Sequence, residues 1–359
     1  MSLCSASRLS HLDKTPIKSI KSGRGDLIDC VDINHQPAFD HPLLKDHEIQ
    51  VNIESADEAK KYNSLIQSWQ LDGQCPDGTI AMRRITKEEP APANSININF
   101  FSSFRGKSTA GIDKGFPQVC IEKDGYYGGK AIMNLWEPHV RPNEFSASYM
   151  ALAGDFSAPE LNVIAAGWHV VPKKYGGNRT RFFAGWRGAN STGCLNLECA
   201  GFVQISNEIA LGATFPELSS IDGSQFEFSV MISKGEQGWM LQFNDTILGY
   251  WPYSLFTTLG PIAPASTVQW GGAVLNSQID GRQSTTTEMG SGHFAEEGFG
   301  RASYMRQLQV MDETSKLRGL ESPTIAVSRP SCYNMKYGNS VLWGDVIFFG
   351  GPGRNPNCP

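Results

Sequence analysis

From Tyr126 onward the chain is divided into short runs rich in β-branched and aromatic residues: GKAIMNLW, LNVIAAGWHVV, RTRFFAGW, GFVQISN, FEFSVMIS, GWMLQF and ASTVQWGGAV. Most are separated by Gly, Pro or Asn turns, and no segment of comparable length with a helical apolar period interrupts them. Runs this short, bounded this often, cannot bury a helix face but can pair as strands. The expected fold is therefore mainly β, with an antiparallel β-sandwich filling residues 116–359. A single all-β domain commonly reaches that size, and 37 Gly and 20 Pro supply its turns.

The preceding chain has a different character. Residues 1–20 form a polar N-terminal segment, and 21–90 read as a small α+β region. In that region Gln36 to Gln50 (QPAFDHPLLKDHEIQ) has the look of an ordered, Pro-punctuated loop. Ser55 to Gln70 has helical composition, with Ser55 as N-cap and Glu58 completing a capping box. Pro76-Asp77-Gly78 predicts a turn that leads into a short strand. Residues 91–115 turn to Pro, Ala, Ser, Asn and Gly, the composition of an exposed linker, with Arg105 and Lys107 open to a protease.

Charge and spacing exclude several classes of function. The net charge is −5 with no basic block, so nucleic acid is not an expected partner. No run reaches the roughly 18–20 apolar residues that a spanning helix needs, so no membrane role is expected. Eight cysteines stand at 4, 30, 75, 120, 194, 199, 332 and 358, none with zinc-knuckle spacing, and His is scattered. No metal site or cofactor is expected. Cys194 and Cys199 bracket a loop short enough for one bridge, and Cys332 with Cys358 could staple the C-terminal end. Buried free thiols are the alternative for each pair. Asn178, Asn190 and Asn244 begin glycosylation sequons. Together these features point to a secreted or vacuolar protein, although MSLCSASRLSHLDK has no apolar signal stretch and the leader is expected to be missing from this chain.

Three motifs invite chemistry. GYWPYSLF (Gly249 to Phe256) reads first as a strand running into a Pro turn with its rings in the core. Alternatively, Trp251 and Tyr253 line a groove for an extended peptide or a sugar. MGSGHF (Met289 to Phe294) places Ser291 beside His293 on one short loop, without the wider frame of a nucleophile elbow. A glycine-rich turn is the better reading. FFGGPGRNPNC (Phe348 to Cys358) has no Lys-Ser or Lys-Thr pair and reads as a tight C-terminal turn rather than a phosphate loop.

Longer strings go further. DCVDINHQPAFDHPLLKDHEIQ, CPDGTIAMRR, GWHVVPKKYGGNRTRFF, TGCLNLECAGFVQISNEIALGA, VQWGGAV, EMGSGHFAEEGFGRASY and WGDVIFFGGPGRNPNCP together closely resemble the plant neprosin family, from about Lys14 to Pro359. The resemblance implies an N-terminal activation region covering the active face, a cleavable linker, and a β-sandwich. In active members that sandwich is a glutamic endopeptidase cutting after proline at acid pH. It also implies bridges at Cys194–Cys199 and Cys332–Cys358.

Hydrolysis without metal or covalent nucleophile needs two carboxyls whose mutual repulsion leaves one ionised and one protonated. The resemblance places one glutamate after Trp-Gly-Gly and the other just before Ala-Gly-Trp. Here those positions hold Ala273 and Ala165. A methyl group moves no proton, so the expectation is a pseudopeptidase that binds extended, Pro-containing peptides in a groove lined by Trp168, Trp251, Tyr253 and Trp270. Two alternatives stand beside it. One is an active acid endopeptidase with a relocated carboxylate, Glu288 first, reached by a hairpin turning near Asp280, with Glu198 and Glu296–Glu297 as weaker candidates. The other is a carbohydrate or cell-wall binding module. His169 is a further candidate, as a group titrating between pH 5 and 7.

Overall fold

The computed structural model describes residues 14–49, 65–85, 89, 113–115, 117–155, 157–277 and 284–359. A small N-terminal sheet holds β1 (Lys18–Lys21), β2 (Leu27–Asp32) and β3 (Thr79–Arg83) in that order. β4 (Asp113–Gly115), β5 (Pro117–Tyr126), β6 (Gly128–Asn134), β7 (Ser146–Ala153), β8 (Val163–Val170) and β9 (Arg181–Arg187) begin the sandwich. β10 (Gly193–Leu195), β11 (Val203–Gln204), β12 (Glu227–Lys234), β13 (Gly238–Phe243), β14 (Thr246–Pro252) and β15 (Ala265–Asn276) follow. β16 (Ser303–Met311), β17 (Leu317–Arg318), β18 (Thr324–Val327), β19 (Asn334–Ser340) and β20 (Gly344–Gly350) complete it.

The first sandwich sheet runs β10-β9-β8-β7-β15-β5-β18, with β4 also paired to β15. The second runs β11-β14-β13-β12-β6-β16-β20-β19, with β17 on β16. Every strand pairing is antiparallel. The expected β-sandwich is the fold observed.

Alternation fixes which side chains fill the space between the sheets. On β8, Ile164, Ala166 and Trp168 point inward, and on β15, Val268, Trp270 and Val274 do the same. Phe182 from β9 meets Phe243 from β13 edge-on, with ring centroids 4.7 Å apart. Truncating a buried ring of this kind to Ala costs about 3–5 kcal/mol. β7 and β8 are buried along their whole length, so their sequences read as continuous apolar runs rather than as alternation.

The N-terminal sheet closes one end of this core. Val31, Leu44, Ile80 and Met82 belong to the inter-sheet apolar cluster itself. Ile20, Ile28, Trp69 and Ala81 form a second cluster with Ala210 and Ala213 of the sandwich. Polar pairs fix the position. Gln36 Nε2 donates to the Gln204 carbonyl at 3.0 Å while Gln204 N donates to Gln36 Oε1 at 2.7 Å. Gln67 makes the same reciprocal pair with Ala210. Arg181, at the start of β9, donates to Asp26 Oδ1 at 2.6 Å and to the Gly212 carbonyl at 2.7 Å. The other Asp26 oxygen accepts from the Thr214 amide and hydroxyl.

The N-terminal region differs from expectation in places. Ser55 and Glu58 lie outside the described residues, and the end of the expected helix is a 3₁₀ turn, Ser68–Leu71, capped by Gln67 and Gln70. The loop after β2 is built from three 3₁₀ turns, two of them opened by Pro37 and Pro42. Pro at the first position of such a turn loses no needed donor. Among the described residues three disulfides form: Cys194–Cys199, Cys332–Cys358 and a bridge not foreseen, Cys30–Cys75. The last ties β2 to the turn before β3 across 45 residues.

Removing one partner of a buried ion pair strands the other charge, which costs about 3–5 kcal/mol. Asp26→Ala should therefore lower the urea-unfolding free energy by about that amount, and Asp26→Ala with Arg181→Met should recover most of it. A loss below about 1 kcal/mol for the single change would show that the seam between the two regions lies elsewhere.

Candidate functional site

The face of the first sheet that points away from the inter-sheet core carries Ala165 and Ala273. Both belong to a separate apolar cluster with Phe145, Ala147, Tyr149 and Phe183, and both are 0% exposed. Trp168 and Trp270, each at odd spacing from these alanines, point the other way. The period of two along a strand makes this partition unavoidable.

The ladder registers arrange this face in three rows. Ala165 pairs with Ala151, which pairs with Gln269, which pairs with Cys120. Gly167, Tyr149, Gly271 and Gln118 make the middle row. His169, Ala147 and Ala273 make the third. Two strand spacings and four residues separate Ala165 from Ala273, so their Cα atoms lie roughly 16 Å apart. Tyr149 stands between the two positions, flanked on both neighbouring strands by glycine. A Cβ at Gly167 would meet the Ser148 carbonyl and the Tyr149 backbone, and one at Gly271 the Pro117 carbonyl, while burial, with Cys120 close by, raises the Tyr149 phenol above its ordinary pKa.

His169 anchors the third row. Its ring stacks on Phe183 at 4.6 Å, and its Nε2 lies 3.0 Å from the Tyr175 hydroxyl. Tyr175 ends the single-turn helix Pro172–Tyr175 and also accepts from Asn196 Nδ2 at 3.2 Å. Asn196 in turn donates to Glu198, and Glu198 is ion-paired with Lys174. The guanidinium groups of Arg83 and Arg181 lie 4.9 and 4.5 Å from the Tyr175 ring centre. Burial, then the charges of Lys174, Arg181 and Arg83, push His169 well below its usual 6.5. This runs against the expectation that it titrates between pH 5 and 7: the buried imidazole is biased toward its neutral form.

Each alternative acid is already engaged. The turn expected near Asp280 lies outside the described residues, and the described segment with Glu288 does not pair with β15, whose edges are taken by β7 on one side and by β5 with β4 on the other. Instead Glu288 pairs with His139: its amide donates to the His139 carbonyl, and its Oε2 accepts from the His139 amide at 2.8 Å. Its neighbour Met289 packs under Gly272 on the inter-sheet side, opposite the Ala273 methyl. Glu296 accepts from Asn334, and Glu297 holds His293 and Arg301. Among the described residues no group of three or more His, Cys, Asp or Glu is placed to hold a metal.

The family model described as Neprosin matches residues 142–352, and that described as Neprosin activation peptide matches residues 19–115. The chain belongs to the neprosin family. Among solved structures it is similar to scytalido-glutamic peptidase bound to a peptide-based transition-state analogue. That match has 8% identity and a TM-score of 0.36, and covers 66% of this chain and 98% of that one. A similar match is SCP-B, a member of the eqolisin family of peptidases, in complex with the tripeptide Ala-Ile-His, at 8% identity, TM-score 0.37 and the same coverage. A tetrameric galectin from the ball sponge Cinachyrella sp. matches at 14% identity and TM-score 0.26, covering 45% of this chain and 96% of that one.

Within this neprosin domain, the expected groove of Trp168, Trp251, Tyr253 and Trp270 is not formed. Trp168, Trp251 and Trp270 are fully buried between the sheets, where the Trp168 and Trp270 indoles donate to the carbonyls of Asn134 and Lys130. A large apolar ring with one donor is well served by such a position. Tyr253 is half-buried, with its hydroxyl donating to the Gly235 carbonyl. The described part of the neprosin activation region sits at the end of the sandwich, and only Arg83, paired with Glu89, reaches Tyr175 at the margin of the alanine face. Residues 90–112, the rest of the expected cover, lie outside the described residues. Of the sequons, Asn178 and Asn190 are exposed, whereas Asn244 Oδ1 accepts from the Ser229 amide. Ser291 and His293 lie on a turn shaped by Gly290 and Gly292 at positive φ.

Tyr149, Gln269 and the Tyr175 network were absent from the sequence reading. A neutral His169 in the folded state and an ordinary one in the unfolded state give a definite sign. Between the folded value and about 6.5 the unfolded chain binds more protons, so stability falls as pH drops through that window. His169→Gln should remove up to about 1.4 kcal/mol per pH unit of this slope, read from urea unfolding at pH 7 and pH 5. Equal slopes for the two proteins would mean that His169 titrates normally.

Proposed function

We propose that this chain is a secreted, non-catalytic member of the neprosin family that binds extended, Pro-containing peptides. One observation carries the reading: the positions that the resemblance gives to the two carboxyls are alanines on one face, and Tyr149 occupies the row between them. Losing general acid–base help alone costs about 10²–10⁴ in rate, and the loss of both groups leaves no route for the proton. Glu198, Glu288, Glu296 and Glu297 each hold a structural partner, which argues against a relocated acid.

Three disulfides support an oxidising compartment, and exposed Asn178 and Asn190 are the sites proposed to carry glycans. The shared apolar cluster and the Asp26–Arg181 pair support an activation region that stays in place after cutting of the linker.

The test is a cleavage map at pH 3 with a Pro-containing peptide library and the chain nicked in its linker. Intact peptides are expected, while Ala165→Glu with Ala273→Glu should introduce cuts after proline. Cuts by the unaltered chain, abolished by Glu288→Gln, would overturn the reading.

A further inference from the structure

The two carboxylate oxygens of Glu198 lie between an amine and an amide. Lys174 Nζ donates to Oε2, and Asn196 Nδ2 donates to Oε1 at 3.2 Å. All three residues are more than nine-tenths buried: Lys174 is 8% exposed, Glu198 7% and Asn196 4%. An ion pair taken out of water in this way adds little to stability, because two apolar side chains of similar volume hold a core as well or better. Stability alone does not account for the pair.

Asn196 is clamped on β9 from two sides. Its amide donates to the Ala184 carbonyl at 2.6 Å, and the Ala184 amide donates to its Oδ1 at 3.2 Å. Its backbone has φ 56°, in the left-handed region that asparagine tolerates. The Cys194–Cys199 bridge closes the loop that carries both Asn196 and Glu198, while Lys174 comes from the single-turn helix that precedes β9. The remaining polar neighbours are Tyr175, whose hydroxyl also accepts from Asn196 Nδ2 at 3.2 Å, and the guanidinium groups of Arg83 and Arg181 on the Tyr175 ring. The cluster therefore holds an amine, a side-chain amide whose oxygen is polarised by a backbone N–H, and one carboxylate touching both nitrogens.

We propose that these residues form an intramolecular amide crosslink between Lys174 Nζ and Asn196 Cγ. Glu198 takes a proton from the Lys174 ammonium, and the neutral amine attacks Cγ. The Ala184 N–H, already on Oδ1, stabilises the oxyanion. Glu198 then passes its proton to Nδ2 and accepts a further one from Nζ, and the Cγ–Nδ2 bond breaks. The departing nitrogen leaves as ammonium, carrying away the charge that Lys174 brought, and Glu198 ends as a carboxylate. No oxidant or co-reactant enters the step. The product is a second staple beside the Cys194–Cys199 bridge, one that reduction does not open. It stands whether or not the chain binds peptide.

The experiment is tandem mass spectrometry of the full chain, produced in the bacterial periplasm without glycans, then reduced, alkylated and digested with trypsin and chymotrypsin. Two variants accompany it. Lys174→Arg keeps the charge and the pairing with Glu198 but has no attacking amine, and Glu198→Gln removes the proton carrier. The unaltered chain should give a branched peptide joining Lys174 to Asn196, and its intact mass should be lower by one ammonia. Lys174→Arg should give neither, and Glu198→Gln should form the branch at least about a hundred-fold more slowly. Urea unfolding confirms that each sample is folded; should Glu198→Gln fail that check, the unaltered chain and Lys174→Arg carry the comparison.

A folded, unaltered chain without the branched peptide overturns the proposal. So does a loss of ammonia without a branch, which would mark ring closure of Asn196 on its own backbone. A branch that survives Lys174→Arg would assign the amine to another lysine and overturn the role of Lys174. Unchanged formation in folded Glu198→Gln would overturn the role of Glu198 as proton carrier.

Discussion

Arg181 sets the terms for the rest of the molecule. Its guanidinium is carried by β9 into a place from which water is excluded, and there it must be answered by a carboxylate. The sandwich does not supply that answer. Asp26 does, from a segment 155 residues earlier, and Thr214 fills the second oxygen. The N-terminal sheet is therefore a structural part of the sandwich, with Leu44, Ile80 and Met82 completing a core that would otherwise open to water. Burial first, and then the same charge with Lys174 and Arg83, lower the pKa of His169, so the seam that assembles the chain also bears on the protonation of its candidate site.

Much of this was legible in residue order. The strands after Tyr126 announce themselves because each run is short, apolar and closed by a turn, and the long run of β15 could be placed from ASTVQWGGAV alone. The flanks of Ala165 and Ala273 likewise located the two positions before any geometry was known. What failed was the assignment of faces. β7, β8 and nearly all of β15 are buried on both sides, so their sequences lack the polar alternation that tells inward from outward, and Trp168 and Trp270, expected in a groove, are core. Tyr149 was invisible for a related reason: its position between the two alanines depends on register across three strands, which no local pattern encodes.

The fate of Glu288 shows how topology overrules proximity in sequence. A turn near Asp280 would place it beside Ala273 only if an edge of β15 were free. Both edges are taken; residues 278–283, where that turn was expected, lie outside the described residues, and beyond them Met289 sits under Gly272 while the Glu288 carboxylate satisfies a loop amide at His139. An acid can be near a site along the chain and still be separated from it by the thickness of a strand.

The order in which the contacts become available has its own consequence. Asp26, Gln36 and Gln67 leave the ribosome 143 to 168 residues ahead of Arg181, Gln204 and Ala210. At roughly 5–20 residues per second this is a wait of about ten to thirty seconds. During that interval the N-terminal sheet has its own closure to make, Cys30 with Cys75. The bridge at Cys332–Cys358 comes last, with the final residues. Oxidation of this chain therefore has a natural sequence, and a helper protein engaged during synthesis would first meet a small, half-finished sheet exposing Ile80 and Met82.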